Sequence, residues 1–267
     1  MEIPVGLCYN DICIRISVRI CDREHRDGKT PVRKHTSICA VAYHHRKEYK
    51  MSNYIEKAEN LKLPVVVLNG AVAFPSVKLN LEITDPQGIA AIHAACATNS
   101  FVLLVASRDI LTDGAPTIEQ LYRVGTVAKI KQTIKTPDKG LNILVEGYSR
   151  ASVLEYSDFA DYVLADAICK TVSLPDDGGL RGEALVREAI GAMEDILKYM
   201  PSVSPNIVLA AKNLKTPGLV ADFIASNILV RYTDKQEILE CFDPLERVET
   251  LILLLENEAK LLDCEYE

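Results

Sequence analysis

The spacing of apolar residues changes once along this chain, and that change restricts its fold more than any other feature. Between residues 65 and 172, apolar residues occur in short continuous runs, as at 65–68 and 101–106, or at every second position, as they do from Val77 to Ile83. Beyond the turn-rich stretch "PDDGG" at 175–179, they recur at intervals of three and four. A period of two places side chains on one face of a strand, and a period of 3.6 places them on one face of a helix. The sequence therefore predicts an α+β protein in which the strands come first and the helices follow.

Five or six mostly antiparallel strands and one short helix are predicted before residue 175. A helix is predicted from Asp85-Pro86 to about residue 96, because an aspartate N-cap and a first-turn proline begin it. A tight turn is expected at 136–140, and Asn69-Gly70 signals another. Such a set of strands suggests a small closed or half-closed β-barrel. The predicted strands cover residues 65–68, 77–83, 101–106, 123–135, 141–154 and 161–172.

Three helices are predicted after residue 180. The first ends before Pro201, the second begins at Thr216-Pro217, and the last begins at Asp243-Pro244 with Glu246 as a capping-box acid. The "PDDGG" stretch is the expected boundary between two subdomains. We expect a β-barrel subdomain over residues 61–174 and a helical-bundle subdomain over residues 180–267.

The last helix carries an apolar stripe with heptad-like spacing. If it pairs between chains, it forms an assembly seam. Its few heptads also fit the alternative, in which the stripe packs on its own bundle. The candidate seam residues are Leu245, Val248, Ile252, Leu255, Ala259 and Leu262.

The first fifty residues differ in composition from the rest. They carry a net charge of +4, against −11 for the remainder, and hold half of the cysteines and four of the five histidines. The spacing of those cysteines and histidines matches no known zinc site, so no metal is predicted. We interpret residues 1–60 as an atypical N-terminal extension. The codons of Arg46, Lys47 and Glu48 can form a purine tract before Met51, which suggests Met51 as the true start and residues 1–50 as artefactual or optional.

No residues after position 50 form a recognisable catalytic, metal or cofactor site. His93 is the only histidine there, and no Gly-rich phosphate loop or nucleophile–base pair occurs. The acidic body argues against a nucleic-acid partner, and no apolar run suggests a membrane span. No secretory signal is present, so we expect a cytoplasmic protein with reduced thiols. The sequence points to a binding module and not to an enzyme.

The connection "GAVAFP" at 70–75 is the one candidate binding segment. It carries Val72, Phe74 and Pro75, and connections between strands usually run over the surface. These residues could line an apolar groove for a partner. Phe74 could instead fold back and plug the end of the barrel.

Three stretches together resemble the N-terminal domain of bacterial Lon, the ATP-dependent protease. They are "LPVVVLNGAVAFPSVKLNLEI", "LYRVGTVAKIKQTIKTPDKGLNILVEGYSRASV" and "LVADFIASNILVRYTDKQEILECFDPLERVETLILLLENE". Four short motifs carry the likeness, and they occur in the family's order. They are Phe74-Pro75, the start of a strand at Gly125–Ala128, the end of a strand at Leu144–Gly147, and the beginning of the last helix with Leu239, Asp243, Glu246 and Arg247. The likeness covers about residues 60–262.

The resemblance implies a PUA-like antiparallel β-barrel followed by an α-helical bundle. It also implies capture of unfolded, damaged or degron-bearing polypeptides, for which Val72, Phe74 and Pro75 are the candidate binding residues. Assembly with other Lon subunits is implied as well. The Walker loop and the Ser-Lys dyad of Lon are not found in this sequence, so no ATPase or protease activity is expected of it. The last helix reaches the final residues without a Gly or Pro stop, which favours part of a longer Lon. The alternative is a stand-alone adaptor or ligand-binding protein.

Overall fold

The computed structural model describes residues 4–9, 12–18, 38–41, 55–109, 117–137, 140–159, 161–173, 178–201, 203–204 and 206–266. The chain forms two compact units, Met1–Ser52 and Asn53–Glu267. In the first unit, three antiparallel strands that the sequence analysis does not predict are described: β1 (Pro4–Tyr9), β2 (Ile12–Val18) and β3 (Ile38–Val41). The cysteine and histidine side chains of this unit, and the Met51 start, lie outside the described residues.

The second unit begins with six strands, and the six predicted strand segments are confirmed. Two strands are longer than their apolar runs suggest. β4 begins well before the run 65–68, and β8 continues past residue 154. The strands are β4 (Ile55–Leu68), β5 (Lys78–Ile83), β6 (Phe101–Ala106), β7 (Val124–Lys135), β8 (Leu141–Phe159) and β9 (Tyr162–Ser173).

These strands form one mixed sheet in the order β5-β8-β7-β6-β4-β9, and β9 also pairs with β8. Only β4 and β6 run parallel. The long β8 makes the return pairing possible, because its first part pairs with β5 and its second part pairs with β9. A mixed sheet followed by helices confirms the α+β class. The PUA-like barrel that the resemblance implies is a finer description and stays a prediction.

Six helices are described, and the predicted caps begin three of them. Asp85 accepts a hydrogen bond from the amide of Gly88, Thr216 from that of Leu219, and Asp243 from those of Leu245 and Glu246. None of the described helices is long and apolar enough to cross a bilayer. The helices are α1 (Pro86–Cys96), α2 (Gly179–Leu197), α3 (Asn206–Lys212), α4 (Pro217–Ile228), α5 (Tyr232–Glu240) and α6 (Pro244–Tyr266).

The apolar core consists of three clusters. Two lie in the sheet, one of them under α1, and the third is built mainly from α2, α4, α5 and α6. Phe74 belongs to the helical cluster, although it lies on the connection between β4 and β5. This connection therefore inserts a side chain from the sheet half into the core of the helices. Val72 and Val77 of the same connection, and Val124 of β7, also pack against this cluster, so the two halves of the fold share a core here.

Close backbone contact holds the same connection against β8. The amide of Ser76 donates to the carbonyl of Gly147 at 3.0 Å, and the amide of Gly147 donates to the carbonyl of Val77 at 2.9 Å. A Cβ atom at Gly147 would overlap the carbonyl oxygen of Phe74 and lie 3.1 Å from the Cα of Pro75. Only glycine fits here, because backbone and not a flexible side chain occupies the space.

Replacing Gly147 with Ala should therefore destabilise the protein, by roughly 1–3 kcal/mol in the free energy of unfolding. Gly191→Ala is the matched control, because a Cβ at Gly191, inside α2, meets no atom within 4 Å. It should leave stability unchanged or raise it by about 1 kcal/mol, the helix-propensity difference between the two residues. Urea denaturation measures both variants. Equal stability of Gly147→Ala and the parent would contradict this packing.

Candidate functional site

A groove lies between the β4–β5 connection and the region where α4 meets α5. Its volume is about 570 Å³, in the range of sites that hold a peptide side chain or a small ligand. Val230, between the two helices, is 69% exposed. Val230 therefore adds an exposed aliphatic side chain to the lining of the groove. The apolar side chains that line the groove are Val72, Phe74, Val77, Leu79, Phe223 and Val230.

The three predicted binding residues are not all in this groove. Val72 is half-buried and lines its wall. Phe74 is 1% exposed and packs in the helical core, so its side chain forms the floor. Of the two alternatives for Phe74, the burial of its ring agrees with the one in which the side chain folds back, but the ring packs among α2, α4, α5 and α6 and not at the end of a barrel. Pro75 lines a different cavity. A role for Val72 and Pro75 in binding a polypeptide stays a prediction.

The charged side chains that line the groove are cationic. Lys78 is exposed at the start of β5, and Lys235 extends from α5 with its Nζ donating to the carbonyl of Ser226 at 3.2 Å. Burial lowers the pKa of Lys235, because desolvation disfavours the charged ammonium. No acidic residue is found among the described residues that line the groove. Its electrostatics thus favour a ligand that combines apolar groups with negative charge.

A buried ion cluster joins the sheet to the helices. Arg150 on β8 donates from both terminal nitrogens to the carboxylate of Asp222 on α4, at 2.5 and 2.9 Å. Its Nε donates to the carbonyl of Leu239, at the end of α5, at 3.0 Å. Arg247 on α6 approaches both oxygens of Asp222 at 3.4 Å. Elements from both halves of the fold therefore meet at one carboxylate.

Arg247 has further partners that fix the start of α6. Its Nε donates to the carbonyl of Cys241 at 2.8 Å, and its Nη2 donates to that of Phe242 at 3.1 Å. Burial lowers the pKa of Arg247 to about 10, and the attraction of Asp222 only partly opposes this. Sequence reasoning missed this cluster. One sequence signal could have indicated it: Asp222 is a charged residue between apolar neighbours in a predicted helix, which suggests a buried carboxylate with a cationic partner.

A second cavity, of about 250 Å³, opens beside the ion cluster. Its lining includes the three charged residues of the cluster, Arg150, Asp222 and Arg247. Tyr148 and Pro75, which belong to the sheet half of the fold, also line it. Tyr148 is exposed and contacts Phe101 edge to face, with ring centroids 5.9 Å apart. The cavity and the groove thus involve neighbouring residues of one connection, Phe74 and Pro75.

The candidate assembly seam on α6 faces the interior of its own chain over much of its length. Val248, Ile252 and Leu255 are buried in the helical core, and Ala259 and Leu262 pack against it. Leu245 is half-buried. This placement agrees with the alternative in which the stripe packs on its own bundle. Any pairing of these residues between chains stays a prediction.

The described part of the chain offers no evident metal centre. No group of three or more His, Cys, Asp or Glu side chains lies close enough together there to hold an ion. His93, the histidine of the acidic body, is exposed on α1. The features on which a function can be built are therefore the groove, the ion cluster and the cavity beside it.

Comparisons with a family model and with known proteins point to the same family. Residues 62–257 match the model of the "ATP-dependent protease La (LON) substrate-binding domain". The Lon protease of Brevibacillus choshinensis is 32% identical over 210 residues, which are 79% of this chain and 27% of that protein. The Lon protease of Vibrio parahaemolyticus is 33% identical over 211 residues, which are 79% of this chain and 26% of that protein. The chain thus matches about a quarter of the length of these relatives.

A solved structure supports the fold. The N-terminal domain of the Lon protease from the Mycobacterium avium complex superimposes with a TM-score of 0.53. The match covers 73% of this chain and 98% of that domain, at 22% sequence identity. At this level of identity, the comparison speaks to the fold alone.

Because Asp222 is the carboxylate between two buried guanidinium groups, Asp222→Ala should be strongly destabilising. The expected loss in the free energy of unfolding is about 3–5 kcal/mol, because two buried cations then lack a counter-charge. Glu194→Ala is the control: it breaks the exposed pair with Lys212, whose two side chains are 47% and 53% exposed. That change should cost at most about 1 kcal/mol. Urea denaturation measures the free energy of unfolding of both variants. If the two variants lose similar amounts of stability, the ion cluster does not stabilise the fold as described.

Proposed function

The chain belongs to the family of Lon substrate-binding domains, and from this premise we propose that its groove binds apolar segments of unfolded or damaged polypeptides. The observation that carries the proposal is the groove itself, with exposed Val230 above a floor formed by Phe74. Unfolded polypeptides expose the aliphatic and aromatic side chains that folded proteins bury. The chain would act as a recognition module for a Lon-type ATP-dependent protease.

The shape of the groove supports an extended segment as the ligand. Its walls come from a strand connection on one side and a helix junction on the other. Its size suits one or two large side chains, so affinity for any one segment should be modest and selectivity broad. Lys78 and Lys235 favour segments in which an acidic residue flanks the apolar ones.

We assign a binding role and no turnover to this chain. Lon proteases are much longer than the matched region, and we propose that ATP hydrolysis and peptide cleavage belong to their other parts. The module would then deliver clients within an assembly of Lon subunits. A stand-alone adaptor without a protease would use the same groove, and the binding experiment below applies equally to both.

Val230→Ser tests the groove directly. If a client segment covers the exposed Val230 side chain, the substitution should weaken binding of a fluorescent, apolar, unfolded peptide about tenfold, because burying a valine contributes on the order of 1.5 kcal/mol. The melting temperature should remain close to that of the parent. Fluorescence anisotropy gives the affinity, and thermal unfolding gives the stability.

Leu154→Ser is the matched control for this variant. Leu154 is also an exposed aliphatic residue, 57% exposed on β8, and it does not line the groove. Its replacement should leave peptide affinity unchanged. The proposal fails if both variants bind the peptide equally well, or if only Leu154→Ser loses affinity.

A further inference from the structure

The ion cluster contains more positive than negative charge. Two guanidinium groups, Arg150 and Arg247, are 6% and 5% exposed, and Asp222 is the one carboxylate between them. Asp243 precedes Arg247, but it is half-exposed and its Oδ1 accepts the first amides of α6. A buried charge without a counter-charge is costly. Counted over the described residues, the cluster holds one more positive than negative charge, on side chains that are almost fully buried.

The two arginines also have hydrogen-bond donors to spare. A guanidinium group carries five N–H donors. Arg150 donates three hydrogen bonds to described residues, one from each nitrogen, which leaves two N–H groups without a partner there. Nη2 of Arg247 donates once, to Phe242, and has a second N–H. Because buried donors are usually hydrogen-bonded, these N–H groups are available to a further acceptor beside the cluster.

The cavity beside the cluster is the place where such an acceptor fits. Both arginines line it, and so does the first turn of α4, from Thr216 to Gly218. The N-terminus of a helix adds positive potential. Lys170 contributes a third cationic side chain to the lining, and among the described lining residues Asp222 is the one acid. A volume of about 250 Å³ holds a small ion but not a folded partner.

We propose that this cavity is an oxyanion-binding site that takes a phosphate or a carboxylate group. The oxyanion would accept hydrogen bonds from the spare N–H groups of Arg150 and Arg247 and balance their excess charge. Because Arg150 belongs to β8 and Arg247 to α6, the bound ion would bridge the sheet and the helices. This site is separate from the groove and does not depend on the proposed recognition of polypeptides.

The first test is titration of the full chain with inorganic phosphate at constant ionic strength, followed through the Nε–Hε NMR signals of the arginines. The signals of Arg150 and Arg247 should shift and saturate, whereas those of exposed Arg187 should not. Acetate in place of phosphate distinguishes a carboxylate site from a phosphate site. Saturation with either anion supports the proposal. Shifts that are absent, or that chloride reproduces in full, overturn it.

A variant with its own carboxylate in the cavity provides the second test. Thr171 is exposed on β9 and lines the cavity, so Thr171→Glu places a negative charge there without removing either arginine. It should lower the affinity for the anion at least tenfold. Thr133→Glu is the matched control, because Thr133 is an exposed threonine on β7 away from the cavity. Equal anion affinities in the two variants would overturn the proposal.

Discussion

The carboxylate of Asp222 is the charged group through which the sheet and the helices of the second unit are joined. It accepts hydrogen bonds from both terminal nitrogens of Arg150 on β8, and its Oδ1 lies 3.4 Å from Nη1 of Arg247 on α6. Arg150 and Arg247 further bind carbonyl groups at the end of α5 and between α5 and α6. Buried ion pairs contribute less to stability than to the choice of one arrangement, because few alternatives satisfy every charge and donor. The cluster thus links β8 to α4, to α6 and to the end of α5 through one buried carboxylate and its two arginines.

The groove is a consequence of that arrangement. Its two walls belong to different halves of the fold, so its width follows from how the β4–β5 connection lies against α4 and α5. Phe74 anchors the connection in the helical core, and Gly147 lets its backbone lie directly against β8. Tyr232 adds a further tie, because its hydroxyl donates to the carbonyl of Arg108 at 2.8 Å. These contacts fix the walls of the groove before a ligand binds. Such preorganisation reduces the conformational entropy that is lost on binding.

Local sequence signals predict the elements of this fold well and their contacts poorly. The six strands of the second unit, the three capped helices and the order of the two halves follow from periodicity and from Asp85, Thr216 and Asp243, because each of these signals acts over a few residues. The strands β1–β3 of the first unit do not follow from any such signal. The short helices α3 and α5 were not predicted, since neither carries a long apolar stripe. Arg150 and Asp222 are far apart in the sequence, and no local pattern predicts their pairing. The sequence allows Phe74 to fold back into an apolar core but does not predict which core, because the one that receives its ring forms from distant helices.

Hydrogen exchange with and without a bound client tests the central claim, that the groove between the β4–β5 connection and the α4–α5 junction is the recognition surface. The full chain would be incubated in deuterated buffer with and without a saturating unfolded, apolar peptide, and deuterium uptake would be read by mass spectrometry. Binding in the groove should slow exchange in peptides that cover residues 70–79 and 226–235, with little change in α1 or in the far part of β8. Protection confined to other segments, with these two ranges unchanged, would contradict it.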